Sequence, residues 1–174
     1  MKKLVLSLRK KSHIEKNTIE RFLKRIDSNI PLTKENNFYD HICSFFVPVN
    51  RKNKLIYIGH HIKADQWIPP GGHIKTDETP IETVKREFEE ELKHKLTREK
   101  IELFDLSIKD IEPNPRHSCK RHYDFWFIVY TDKKDFDFIK KEFYDASWHT
   151  LEETLKKVKT PQYNKIIRKL KEIL

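Results

Sequence analysis

The sequence predicts an α/β domain built from a sheet with helices on its two faces. Two observations support this: strand-like and helix-like segments are mixed along the 174 residues, and helical patterns occupy both ends. Apolar runs bounded by turn-forming residues indicate strands at Ile42–Val49, Lys54–His60, Ile101–Ile108 and His122–Thr131, with a short one around 146–150. Pro48 indicates an edge position or a bulge in the first strand, because proline cannot donate a ladder hydrogen bond.

Apolar residues at helical spacing mark the two ends of the chain. Residues 14–30 predict an amphipathic helix that ends before Pro31, and a helix beginning at Pro161 has one apolar face. A chain of this length has room for a single core. We therefore expect residues 1–36 to form a helical extension that packs on one domain, residues 37–174.

The chain has a formal net charge of +9 and a pI near 9.4. A lysine-rich solvated surface is the favoured interpretation, because basic residues are spread along the whole chain. Attraction of phosphorylated partners is the alternative. No apolar run approaches the ~20 residues that a membrane span needs, and the opening segment lacks the apolar core of a signal peptide. The chain has two cysteines, which favours a reducing compartment, so we expect a cytoplasmic protein. We also expect a monomer or homodimer without a membrane partner.

A helix over residues 80–94 has the strongest start signals in the chain. Thr79 is a suitable N-cap, Pro80 suits the first helical position, and Glu82 completes a capping box. A loop rich in glycine and proline, residues 64–79, leads into it.

Three carboxylates are crowded on this helix. Glu87, Glu90 and Glu91 lie within about 100° of arc, so they share one face. Mg²⁺ prefers carboxylate and carbonyl oxygens, and the pair Gly71 and Gly72 upstream allows close approach of the backbone to a metal. The pattern predicts a metal cradle that receives an anionic substrate. An ordinary solvated, glutamate-rich helix is the alternative.

A set of residues at fixed spacing carries a family resemblance: Gly72, Glu78, Arg86-Glu87-Phe88 and Glu90-Glu91. This order resembles the signature box of the Nudix hydrolases, and the similarity extends outside the box over about residues 20 to 158. The resemblance implies a Nudix-type α/β/α sandwich with a mixed sheet. It also implies an enzyme that uses Mg²⁺ or Mn²⁺ to cleave the pyrophosphate linkage of a nucleoside diphosphate joined to another moiety.

The resemblance implies a metal site formed by residues at matching positions. Glu90 and Glu91 would be metal ligands, the Gly71 carbonyl a further one, and Glu87 either a ligand or a base. Nudix enzymes often use one more acid from outside the box. Glu142 is the first choice by its place in the pattern, and Asp145 and Asp124 are the alternatives.

The same resemblance implies the other catalytic roles. Glu87 would orient or deprotonate the attacking water, and Arg86 would pair with Glu78 to hold helix and loop in register. Lys93 stands where the box normally has a glycine that ends the helix. We therefore expect the helix to run longer or to end differently.

Substrate contacts are predicted at three positions. Trp67 could stack on a base, and His122 and Asp124 belong to an HYD element similar to that of a Nudix subgroup. His117 and Cys119 complete an HxCxxH pattern, which we do not interpret as a zinc site because a fourth ligand is not evident. The histidines beside the box loop are interpreted as solvent-facing or capping: His60, His61 and His73.

Two alternatives to the hydrolase stay open. A non-catalytic Nudix module that binds a nucleotide and regulates a partner would usually lose box glutamates, which are kept here. An RNA-binding or decapping protein would use the basic surface, and its binding would depend steeply on salt. Isoprenoid isomerases share the fold, but Cys43 near His41 is a slight basis for their chemistry. The expected partner is a nucleotide-derived small molecule.

Overall fold

The computed structural model describes residues 1–112 and 119–174. These residues contain five α-helices and seven strands: α1 Lys2–Ser7, α2 Lys16–Ile26, β1 Asp40–Asn50, β2 Leu55–His61, β3 Gln66–Ile68, β4 Gly71–His73, α3 Pro80–Leu92, β5 Lys100–Asp110, β6 Arg121–Tyr130, β7 Phe143–Thr150, α4 Leu151–Lys157 and α5 Pro161–Lys169. No helix among these is long and apolar enough to cross a membrane. The predicted strands are all present, and β3 and β4 lie inside the segment predicted as a loop.

The strands form one mixed sheet. Its main order is β3-β2-β1-β6-β5, with β4 paired to β1 and β7 paired to β2. β1 runs parallel to β6, and the other pairings are antiparallel. The two central strands are buried along most of their length because helices cover the sheet on both sides.

Two buried clusters occupy the two faces of the sheet. On one face Phe22 of α2 and Phe88 of α3 pack with Phe46 of β1. On the other face Ile167 of α5 packs with Trp126 of β6. Side chains that alternate along the central strands supply both clusters. The α/β/α sandwich predicted from the sequence is therefore confirmed.

The N-terminal segment contributes directly to the first cluster. Val5 and Leu8 are buried in it, and the ring of Phe22 meets Tyr123 and Phe125 edge-to-face at 5.3 Å. α2 is shorter than the predicted helix at both ends. The division of the chain at residue 36 stays a prediction.

Pro48 lies in an interior strand, so the predicted edge position is wrong. One side of β1 pairs with β6, while the other side pairs with β4 at residues 43–45 and with β2 at residues 49–50. Phe46 points its N–H to this second side, where it donates to the Pro70 carbonyl at 3.0 Å. Alternate residues point the same way. The Pro48 nitrogen therefore faces the interval between β4 and β2, where the described pairings place no ladder bond.

Candidate active site

The box helix α3 begins and ends at defined residues. The Thr79 hydroxyl accepts from the Glu82 amide at 3.3 Å, and the Glu82 carboxylate accepts from the Thr79 amide at 2.7 Å. α3 ends at Leu92, and Lys93 adopts the left-handed conformation with φ 52° and ψ 32°. The expectation of a longer or different helix end is therefore wrong. The lysine makes the turn that a glycine would make, at a cost of about 1 kcal/mol.

Arg86 connects α3 to the loop before it. Its Nε and Nη2 donate to the two oxygens of Glu78 at 2.5 and 2.9 Å, and Nη2 also donates to the His73 carbonyl at 3.1 Å. Burial alone would raise the pKa of Glu78, but the bonds from Arg86, the Lys75 amide and the Thr83 hydroxyl lower it to about 2. This forked ion pair fixes the loop relative to the helix.

Each of the two glycines of β4 lies against a carboxylate of α3. The Gly71 amide donates to Glu91 Oε2 at 2.8 Å, and its φ of 142° lies in the region that favours glycine. A Cβ at Gly72 would overlap the Glu87 carboxylate, and a Cβ at Gly71 would overlap the Ser44 carbonyl. A larger residue at either position would therefore move the carboxylates or strain the backbone.

Burial of neighbouring acids perturbs their ionisation. Burial raises the pKa of Glu91 well above its ordinary value, and the charges of Glu87 and Glu142 raise it further. Burial also raises the pKa of Glu87, although Arg86 opposes this by donating to Glu87 Oε1 at 2.6 Å. Burial is therefore the main cause of both raised pKa values, and the neighbouring carboxylates add to it.

Glu90 lies at the rim of the cluster. Its side chain is 52% exposed, and its oxygens lie 3.1 Å from Arg86 Nη1 and 3.7 Å from Lys75 Nζ. Glu90 would have to exchange these partners in order to ligate a metal together with Glu91.

Glu142 joins the cluster from the turn before β7. Ligand atoms of His61, Glu91 and Glu142 lie within 4.8 Å of one another. The Ala64 amide donates to His61 Nδ1 at 3.2 Å, so the ring proton is on Nε2, which lies 3.6 Å from Glu142 Oε2. The hydrogen bond from His61 lowers the pKa of Glu142. Sequence reasoning missed His61, because only the register His61↔Phe143 brings it to this acid.

A cavity of about 1240 Å³ is bordered by these carboxylates. Its lining also includes His122, Lys109 and Tyr163, with Lys109 Nζ held 4.5 Å from the centre of the Tyr163 ring. The carboxylates and a cationic, aromatic region thus face the same space. Of the three predicted substrate contacts, His122 lines the cavity.

The other two predicted substrate contacts lie outside the cavity lining, as far as the described residues define it. Asp124 is fully buried, accepts from the Ser107 hydroxyl at 2.9 Å, and has a pKa raised by burial to about 7. Trp67 stacks on His60 with ring centres 5.6 Å apart, and Lys157 Nζ lies 3.8 Å from its ring centre. This placement does not support direct contact of either residue with a substrate. His117 lies outside the described residues.

The donor set fits a hard divalent cation. Glu87, Glu91 and Glu142 offer carboxylate oxygens, which Mg²⁺ and Mn²⁺ prefer. The raised pKa values of Glu87 and Glu91 fit the same interpretation, because a cation beside these buried acids would favour their charged forms.

Comparison with known proteins identifies the family. The NUDIX domain matches residues 41–170. The chain belongs to the Nudix family, as the box from Gly72 to Glu91 predicts.

Individual relatives are more distant. A dihydroneopterin triphosphate pyrophosphohydrolase of E. coli has a similar fold, with a TM-score of 0.70, 16% identity, and coverage of 79% of this chain and 100% of that one. A probable DHNTP pyrophosphohydrolase of Lactococcus lactis is 26% identical over an aligned region that covers 63% of this chain and 66% of that protein. An RNA pyrophosphohydrolase of Stenotrophomonas maltophilia is 27% identical over an aligned region that covers 50% of this chain and 52% of that protein. The chain thus spans less than two thirds of the length of these two curated relatives.

Proposed function

We propose that the protein hydrolyses the pyrophosphate linkage of a nucleoside diphosphate joined to another moiety, with Mg²⁺ or Mn²⁺ as cofactor. The observation that carries this proposal is the convergence of Glu87, Glu91 and Glu142 beside the backbone of Gly71 at one large cavity. Membership of the Nudix family supports it, as do the pyrophosphohydrolase names of the relatives.

Each acid of the cluster has a proposed role. Glu90, Glu91, Glu142 and the Gly71 carbonyl would hold the cation, with Glu87 as a further ligand or as the base. A bound divalent cation neutralises pyrophosphate charge and lowers the pKa of water. Glu87 suits the base, because burial raises its pKa above that of an ordinary glutamate and so makes it a stronger base.

Positioning residues would keep this arrangement rigid. Arg86 bonds both to Glu78 and to Glu87, so it holds the proposed base against the loop. His61 Nε2 lies 3.6 Å from Glu142 Oε2 and would keep that carboxylate ionised and oriented. Neither Arg86 nor His61 needs to touch the substrate in this scheme.

The rest of the cavity supports a phosphorylated substrate. Four lysines line it: Lys34, Lys63, Lys75 and Lys109. Ammonium groups around a cleft raise the local concentration of anions. His122, also in the lining, is a further candidate contact.

The experiment that tests the proposal is a substrate panel with Mg²⁺, Mn²⁺ or EDTA. It should contain nucleoside triphosphates, dinucleoside polyphosphates, nucleotide sugars, dinucleotide cofactors and capped RNA. Dihydroneopterin triphosphate and 5′-triphosphorylated RNA belong in it because of the relatives' names. Metal-dependent release of phosphate or pyrophosphate from one class would support the proposal. Nucleotide binding without cleavage would favour a regulatory module, and salt-sensitive RNA binding without cleavage would favour an RNA-binding protein.

A further inference from the structure

Three histidines converge beside the cavity, apart from the glutamate cluster, and two of them, His73 and His122, line it. The rings of His41, His73 and His122 have centre-to-centre distances of 4.8, 5.0 and 5.2 Å. Cys43 joins them, since one ligand atom from each of the four residues lies within 4.8 Å of those of the others.

Strand pairing brings these residues together. His41 of β1 is the register partner of His122 of β6, and Cys43 of β1 is the partner of His73 of β4. His41 and Cys43 are two residues apart on one strand, so their side chains point to the same face of the sheet. Residues far apart in the chain thus form one compact group.

Several polar atoms of the group have no partner among the described residues. His41 is fully buried, and its Nδ1 lies 2.9 Å from the Asn37 carbonyl, while its Nε2 has no hydrogen-bond partner. Both ring nitrogens of His122 are buried without a partner. Buried polar groups are normally satisfied, so these nitrogens indicate a missing ligand.

We propose that His41, Cys43, His73 and His122 form a second metal site, which binds Zn²⁺ or a similar transition-metal ion. Imidazole and thiolate ligands suit zinc, whereas the carboxylate cluster suits Mg²⁺. Ligand atoms around tetrahedral zinc are roughly 3.5 Å apart, so side-chain adjustments of about 1 Å would complete the site. The Asn37 carbonyl would orient His41 through Nδ1, leaving Nε2 for the ion.

The ion would link three strands beneath the cavity. Cys43, His73 and His122 also line that cavity, so the ion would face the space that holds the substrate. None of its ligands belongs to the glutamate cluster, so metal binding at this site can be measured separately from hydrolysis.

The test is metal binding by the chelator-treated full chain, followed with Zn²⁺ and with Co²⁺ as a spectroscopic substitute. We expect one tightly bound Zn²⁺ per chain, and with Co²⁺ the visible bands of a tetrahedral site plus a sulfur-to-cobalt charge-transfer band. Cys43→Ser should remove the charge-transfer band and weaken zinc binding at least tenfold. His122→Asn should weaken it similarly, with the fold of each variant checked by circular dichroism.

Two matched variants serve as controls. Cys119→Ser changes a second buried cysteine, whose Sγ lies 3.7 Å from His73 Nε2 but which is outside the four-residue group. Glu91→Gln changes the carboxylate cluster. Both should retain zinc and the charge-transfer band. The proposal is overturned if the wild-type chain binds no stoichiometric zinc, if Glu91→Gln removes it, or if Cys119→Ser removes the sulfur band while Cys43→Ser keeps it. The Cys43→Ser spectrum decides the matter even if His122→Asn does not fold.

Discussion

The carboxylate of Glu87 occupies the space that a side chain at Gly72 would need. A Cβ at position 72 would overlap Glu87 Oε1 and its carboxyl carbon. The box glycine is therefore paired with a specific glutamate of the helix, and Arg86 Nη1 donates to the same glutamate oxygen at 2.6 Å. The spacing of the box in the sequence thus corresponds to a close packing contact.

The first prediction concerns this contact. Gly72→Ala should destabilise the fold by about 1–3 kcal/mol through overpacking and should lower activity. In a Glu87→Ala background the same change should cost much less, because the overlapping carboxylate is gone. Urea unfolding of the four proteins of this double-mutant cycle measures the coupling. Equal costs in both backgrounds would contradict the contact.

The second prediction concerns the buried acid Glu91. A carboxyl whose folded-state pKa is raised contributes stability below its unfolded pKa and loses it as pH rises through the folded pKa. In EDTA at neutral pH, Glu91→Gln should therefore be at least as stable as the wild-type chain, because the amide removes the cost of burying the charged carboxylate. Glu89→Gln, at an exposed position on the same helix, should leave stability unchanged. A clear loss of stability in Glu91→Gln would refute the interpretation that the charged form of Glu91 destabilises the metal-free fold.

The third prediction concerns pH and Glu78. Its folded-state pKa of about 2 lies below the ordinary value of 4.5, so its stabilisation is present above pH 4.5 and is lost as pH falls toward 2. Glu78→Gln should cost about 3 kcal/mol or somewhat less at pH 7, and the difference from wild type should shrink in acid. Denaturant unfolding across this pH range measures it. Asp77→Asn, one residue earlier, provides the control. A loss in free energy of unfolding for Glu78→Gln that does not depend on pH would contradict the prediction.

The fourth prediction concerns the end of α3. Lys93 has a left-handed backbone that glycine adopts without strain. Lys93→Gly should therefore stabilise the protein by about 0.5–1 kcal/mol and change activity little. Lys85→Gly, inside the same helix, should destabilise it by about 1 kcal/mol. Thermal unfolding distinguishes the two, and destabilisation by Lys93→Gly would show that its side chain has an unrecognised structural role.

Much of the fold was predictable because its signals are local. The strands around Phe46 and Trp126 are long apolar runs, and the capping box of Thr79 and Glu82 sets the start of α3. Pro48 was misjudged because its tolerance depends on which neighbouring strand faces its nitrogen. The prediction for Lys93 is wrong because this lysine adopts the left-handed backbone conformation that a glycine usually has at the end of a helix.

The candidate site was predictable only in part. The residues of the box lie within one loop and one helix, so their spacing alone predicts their proximity. His61 and the cluster of His41, His73 and His122 depend on pairing between distant strands, which a single sequence does not reveal. The HYD element predicts Asp124 at the substrate, and the aromatic ring of Trp67 predicts stacking on a base. The direction of each side chain depends instead on strand alternation and on its neighbours, Ser107 for Asp124 and His60 for Trp67.

The most direct test of the central claim is the initial rate of cleavage of the best substrate of the panel. This rate is measured for the wild-type chain, Glu91→Gln and Glu89→Gln, each in Mg²⁺ and in EDTA. We predict that the wild-type chain and Glu89→Gln cleave at similar rates in Mg²⁺, that EDTA stops both, and that Glu91→Gln loses at least about 10²-fold in rate while remaining folded. Undiminished Mg²⁺-dependent cleavage by Glu91→Gln would contradict the assignment of the metal site to the glutamates of α3.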